Sequence, residues 1–181
     1  MFVIPVSLPE QVLAKTNAYR AACCYERESS RGASSLSEVW RFNPRASAIV
    51  QNAMGEVLLC RKDGLPFWML PGGKIELGEK AVEAVRREVA EELGAKVVSA
   101  EPIWIVEHLF VLGGTGFHEY GLYFLTKVCP EPPTREAIKG RELGLDFRWF
   151  KICDLTGVDV RPSLLRTELT RLNSGFRFIE S

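Results

Sequence analysis

Residues 71–95 constrain this chain more than any other stretch. They read PGGKIELGEKAVEAVRREVAEELGA. At about 100° per residue, Val82, Val85, Val89 and Leu93 share one arc, which predicts a helix over residues 79–93 with that arc facing the core. Gly94 suits the left-handed position that closes such a helix. Glu88, Glu91 and Glu92 form a neighbouring arc interleaved with Ala81 and Ala84, while Glu79, Glu83 and Arg87 fall on the outer side. Clustered carboxylates repel one another, and a merely solvated face sets Lys or Arg among them. Alanines stand there instead and leave room for a cation. Oxygen donors with no histidine nearby favour a hard ion, Mg²⁺ ahead of Zn²⁺.

The segment before the helix adds a second lip to this site. Gly72-Gly73 lets the backbone approach a ligand closely, with carbonyls available to a metal and amides to phosphate oxygens. Ile75 follows Lys74, so this is not a phosphate-binding P-loop. A Gly-Gly pair alone is usually a turn; beside the acidic arc it predicts a metal–phosphate site.

Composition narrows the remaining classes. The 23 Lys and Arg balance 23 Asp and Glu, which argues against a sequence-independent nucleic-acid binder. Two histidines, His108 and His118, leave few options for a His-rich metal site or a Ser-His-Asp arrangement. The five cysteines form no CxxC pair and read as reduced thiols. The apolar start is short and broken by Pro5, and no run reaches the roughly 18 apolar residues of a membrane span. The expectation is a cytoplasmic protein with no membrane partner.

Around the helix the texture is β-rich. Apolar runs at residues 46–51 and 56–61 flank turn residues Asn52 to Gly55. Two longer runs, 102–112 and 117–128, joined by the glycine-rich residues 113–116, predict a hairpin, and 147–152 is a further strand. A terminal helix is expected after Ser163 as N-cap, with Leu165, Leu169 and Leu172 inward. Residues 1–40 differ in character: a weak amphipathic helix over 10–26, then a small polar linker over 28–35. They read as an N-terminal helical extension to a domain at residues 41–181, with a homodimer contact as the alternative role.

Gly73, five residues, Glu79, seven residues, Arg87-Glu88-Val89, one residue, Glu91-Glu92, one residue and Gly94 together resemble the Nudix box. The one departure is Ala95, where the family usually has a larger aliphatic residue. The resemblance extends from about Phe42 to Gly175, through Leu70-Pro71 before the box, His118-Glu119, Trp149-Phe150 and residues 159–165.

This resemblance implies an α/β fold: a Nudix-type α/β/α sandwich with a mixed β-sheet. It also implies a Mg²⁺-dependent hydrolase, with Mn²⁺ as the alternative ion, cleaving a diphosphate in a small nucleotide-type substrate. By position Glu91 and Glu92 look like metal ligands, with the Gly72 carbonyl as another. Glu88 looks like either a ligand or the base, and Arg87 and Glu79 look like the pair that steadies the loop on the helix. Gly73 lies where the diphosphate is approached. Trp68, His118 and Tyr120 are candidates for substrate contact, although an aromatic at strand spacing is more often core. Residues 110–113 read Phe-Val-Leu-Gly, which disfavours ADP-sugar and dinucleoside-polyphosphate substrates. The rival reading is a Nudix-fold module that senses a nucleotide without turning it over; the complete set of box carboxylates favours the enzyme. A further carboxylate is expected from the loop before the 147–152 strand. Glu142, seven residues before Trp149, is the first choice there, Glu136 the second, and Gly140 and Gly144 are expected to let that loop move.

Overall fold

A computed structural model describes residues 39–112, 114–134, 137–172 and 175–181. The helix expected over 10–26, the linker over 28–35, Gly113 and Glu136 lie outside these residues.

The chain runs through strands β1 (Val39–Val50), β2 (Glu56–Lys62) and β3 (Gly72–Lys74) into helix α1 (Ala81–Leu93). Strands β4 (Lys96–Leu112), β5 (Thr115–Cys129), β6 (Ile138–Lys139) and β7 (Leu145–Lys151) follow. A 3₁₀ segment (Ile152–Gly157), the short helix α2 (Leu165–Glu168) and β8 (Arg177–Glu180) complete it. One sheet has the order β3-β1-β5-β4-β8 and the other β2-β7-β6. The first is mixed, because β1 runs parallel to β5 and β4 parallel to β8.

Both sides of the strands are covered, and the sequence shows why. On β1, Ala46, Ala48 and Val50 pack with Val85 and Val89 of α1, while Ile49 packs with Leu155, Leu165 and Leu169 on the opposite side. On β2, Leu58 and Cys60 go to the α1 side, Val57 and Leu59 to the other. Where a strand is buried on both faces polar alternation disappears, and residues 46–50 of β1, Ser47 apart, and 57–60 of β2 read as apolar runs. The result is the expected α/β layering, with a mixed sheet and few helices.

Helix α1 starts two residues later than expected. Lys80 is its N-cap, and the Lys80 amide donates to Glu83 Oε2 at 3.1 Å. Gly94 closes the helix at φ 68°, its N–H donating to Ala90 O. Val85 and Val89 are fully buried, but Val82 and Leu93 are only half-buried.

Other expectations shift by a few residues. β1 begins at Val39, so the predicted boundary at residue 41 falls inside a strand. In the β4–β5 hairpin Leu112 pairs with Thr115, which puts Thr115 and Gly116 in the strand rather than the turn. The terminal helix is only Leu165–Glu168 before it tightens into a 3₁₀ turn, and Leu164 rather than Ser163 is its N-cap. Leu165 and Leu169 are buried as expected, so packing rather than a cap holds this short piece. Strands β3, β6 and β8 are too short to leave a periodic signal.

Candidate active site

The two glycines before α1 do different work. Gly72 pairs with Ser47 across the β1–β3 ladder and has φ 137°, a region closed to other residues. A Cβ there would lie 2.2 Å from the Ala46 carbonyl oxygen. Gly73 meets the helix instead: a Cβ there would lie 2.3 Å from Glu88 Oε1. The missing side chain of Gly73 is the space that the Glu88 carboxylate fills.

Glu88 and Glu92 are buried at 2% and 7% exposure. Glu92 Oε2 accepts the Gly72 N–H at 3.0 Å, and the Gly72 carbonyl accepts the Arg45 guanidinium at 2.7 Å. One cavity is lined by Gly72, Gly73, Glu88, Glu92 and Glu142, with Arg45 and Lys62 as its cations. Burial, and then the nearby Glu88 charge, push the Glu92 carboxyl up to about 8, against the opposing pull of Arg45 and the Gly72 amide.

Arg87 is not on an outer face. Its Nε and Nη2 donate to the two oxygens of Glu79 at 2.8 and 3.0 Å, and Nη2 also reaches the Lys74 carbonyl at 3.0 Å. Nη1 donates to Glu88 at 2.5 Å and to Glu91 at 3.3 Å. The long stem folds back over the helix, so a residue placed outward by angle alone pins the loop and lies across the carboxylates. The bond to Glu79, ahead of that to Glu88, holds the guanidinium firmly protonated.

Among the described residues no three His, Cys, Asp or Glu side chains converge on one point. Glu88 and Glu91 turn to Arg87, and Glu92 turns to the loop amide. The oxygen donors around the cavity are two buried helix carboxylates, the Glu142 carboxylate and the Gly72 carbonyl, and Cys60 and Met69 also line it. Clustered carboxylate and carbonyl oxygens of this kind fit a small hard divalent cation.

Glu142 lies on the cavity wall. Its partner is Lys62, at 3.8 Å, rather than Arg141. Of its flanking glycines, Gly140 serves close packing, since a Cβ there would fall 2.7 Å from the Leu145 carbonyl, and Gly144 supplies a positive φ of 78°; the Arg141 N–H is bonded to the Glu92 carbonyl at 2.7 Å. The loop is stapled to the C-terminal end of α1. Glu91, more exposed and beside Arg87, is not on the cavity wall.

The aromatic candidates separate. Trp68 is 9% exposed and packs on Phe150 in the cluster on the far side from α1, with the Arg61 guanidinium 4.7 Å from its ring centroid. His118 and Tyr120 sit together on β5, both bonded to Glu107 Oε1 at 2.7 Å, with Phe42 and Phe178 beside them. None of the three lines the carboxylate cavity. Two residues that do, Arg45 and Lys62, escaped the sequence reading. The available signal was Arg45 itself, a charge directly against the apolar run that begins at Ala46.

A family model described as the NUDIX domain matches residues 41–167. An RNA pyrophosphohydrolase of Shewanella pealeana is 38% identical over 60% of this chain and 54% of its own length. A nucleoside triphosphatase, NudI, of Escherichia coli is 29% identical over 66% of this chain and 89% of its own. The chain thus spans about half the length of several curated relatives that it matches. Among solved structures, a MutT protein from Bacillus halodurans superposes with a TM-score of 0.57 at 21% identity, covering 75% of this chain and 86% of that one, a likeness of fold.

Proposed function

This chain belongs to the Nudix family, and on that premise we propose that it is a Mg²⁺-dependent pyrophosphohydrolase. Its substrate class is a nucleoside di- or triphosphate, or a related nucleoside diphosphate derivative, cleaved by water attack on phosphorus. The observation that carries this reading is the cavity in which Gly73 gives its side-chain space to the buried Glu88, beside Glu92 and the Gly72 carbonyl. Relatives named as an RNA pyrophosphohydrolase and a nucleoside triphosphatase support the substrate class.

When bound, Mg²⁺ (or Mn²⁺) supplies charge neutralisation of the diphosphate and polarises phosphorus toward attack. Glu88, Glu92 and the Gly72 carbonyl are the donors that would hold it, with Glu91 joining once its side chain leaves Arg87. The Gly72-Gly73 backbone admits the diphosphate without a side chain in the way. In this reading the proton of the attacking water goes to Glu142, or to Glu88 if Glu88 is the base rather than a ligand. Arg87, locked on Glu79 and the Lys74 carbonyl, keeps loop and helix in register.

For the nucleoside, the exposed face of β5 is the better aromatic surface. Tyr120 and His118 stand there beside Phe42, which is 64% exposed, whereas Arg61 already covers the Trp68 ring. The free thiols of Cys60, Cys129 and Cys153 accord with a reducing compartment, and we place the protein in the cytoplasm.

The test is a panel of nucleoside triphosphates, diphosphates and nucleotide sugars incubated with the purified chain in Mg²⁺ or in chelator. Released monophosphate, pyrophosphate and phosphate are read separately. Mg²⁺-dependent cleavage of at least one phosphoanhydride supports the reading. Tight nucleotide binding with no cleavage would leave the family assignment standing and make the protein a sensor.

A further inference from the structure

Arg45 is a buried cation one strand away from the helix carboxylates. It is 4% exposed, and its guanidinium donates to the Gly72 carbonyl at 2.7 Å. The residues behind it are also buried and polar. β1 and β5 are in parallel register with Asn43 opposite Glu119 and Arg45 opposite Gly121, and β4 sets His108 opposite Glu119. Asn43, Arg45, Glu119 and His108 therefore share one face of the sheet, with exposures of 6%, 4%, 1% and 3%. Asn43 Nδ2 donates to Glu119 Oε2 at 2.6 Å, and burial raises the Glu119 carboxyl against the opposing pull of the Arg45 charge.

Burying a carboxylate, an arginine and an amide in one place is costly unless their geometry is used. A carbonyl oxygen has two lone pairs, so the Gly72 oxygen can accept the guanidinium on one and still offer the other to the cavity. Gly72 stands at a φ that only glycine adopts freely, so its local backbone sterics restrict this peptide less than they would any other residue's. A rigid donor behind a ligating oxygen orients it, as outer partners do for metal ligands in general.

We propose that Arg45, set in one buried polar group with Glu119 and Asn43, is a positioning residue that aims the Gly72 carbonyl into the cavity and thereby sets its divalent-cation affinity. The inference rests on the reading of that carbonyl as a metal donor. Arg45 carries no role in the proton transfers, and its effect passes through Gly72.

The test is direct titration of the full-length protein with Mn²⁺, read by the loss of the free-ion electron paramagnetic resonance signal, with circular dichroism as the check on folding. Arg45→Met should weaken Mn²⁺ binding by about 10- to 100-fold. Arg45→Lys, which keeps the charge but not the planar fork, should fall between it and wild type. Glu119→Gln, which touches no metal donor, should weaken binding in the same direction by less, and it carries the test if Arg45→Met does not fold. Wild-type or tighter Mn²⁺ affinity in these folded variants overturns the proposal and shows Arg45 to be a structural bond or a repelling charge. Wild-type protein that binds no Mn²⁺ removes the metal reading itself, and this inference with it.

Discussion

The carboxylate of Glu92 accepts the amide proton of Gly72, twenty residues earlier, at 3.0 Å, and it does so while almost fully buried. That pairing ties the acidic helix to its loop and also sets a pH dependence. An unfolded chain ionises Glu92 near 4.5, the folded one near about 8. Between those values the folded state holds a proton that the unfolded state has released, so stability is greatest below about 4.5 from this group and is lost as pH rises to about 8. The slope from this one group is at most about 1.4 kcal/mol per pH unit. Denaturant midpoints in chelator from pH 5.5 to 8 should fall with pH in wild type and much less in Glu92→Gln. Parallel curves for the two proteins would refute the assignment.

The neighbouring glycines should fail differently. Gly72→Ala drives a Cβ into the β1 backbone and forces φ 137° on alanine, so it should cost roughly 3 kcal/mol of stability. Gly73→Ala meets only the end of the flexible Glu88 side chain and should keep stability within about 1 kcal/mol while losing turnover and Mg²⁺-induced thermal stabilisation. Chemical denaturation and thermal shift with and without Mg²⁺ separate the two. Equal stability losses would mean that the Gly73 space is not reserved for Glu88.

Much of this site was legible in the sequence because its determinants are local. Helical angle puts Glu88 and Glu92 on one side of α1, and Gly94 ends it where a left-handed residue is needed. Arg87 was misplaced because an angle locates Cβ, not the tip of a long side chain. Arg45 was missed because its partner, the Gly72 carbonyl, is brought to it only by the β1–β3 pairing, and three-residue strands leave no pattern. The shortened terminal helix has the same origin: Leu165 and Leu169 are fixed by packing against distant strands, which no local propensity records.

Arg87 should resist conservative replacement. It makes a two-pronged bond to Glu79 and also reaches Glu88 and a backbone carbonyl, a geometry lysine cannot copy. Arg87→Lys should lose on the order of 1 kcal/mol of stability and at least tenfold in kcat. Retention of both by the lysine variant would reduce Arg87 to a simple counter-charge.

Glu142 lies on the cavity wall, paired only loosely with Lys62, so its loss should affect chemistry more than folding. Glu142→Gln should lower kcat at saturating Mg²⁺ by about 10²-fold or more. Glu136→Gln is the comparison. A loss confined to Glu136→Gln assigns the loop carboxylate to that residue; no loss in either leaves Glu88 as the base.

If the β5 aromatics receive the nucleoside, Tyr120→Ala should raise KM several-fold with kcat little changed, since that contact is made equally in ground and transition states. An unchanged KM would move the nucleoside elsewhere.

In this mechanism the helix carboxylates hold the cation through which a diphosphate is cleaved. That role is tested most directly by steady-state turnover of wild type, Glu91→Gln and Glu92→Gln on the best substrate of the nucleotide panel, at saturating Mg²⁺, with folding verified. Both variants should lose about 10²-fold or more in kcat, and metal-free Glu92→Gln protein should be at least as stable as wild type at pH 8. Wild-type turnover with undiminished Mg²⁺ dependence in both folded variants would contradict that role.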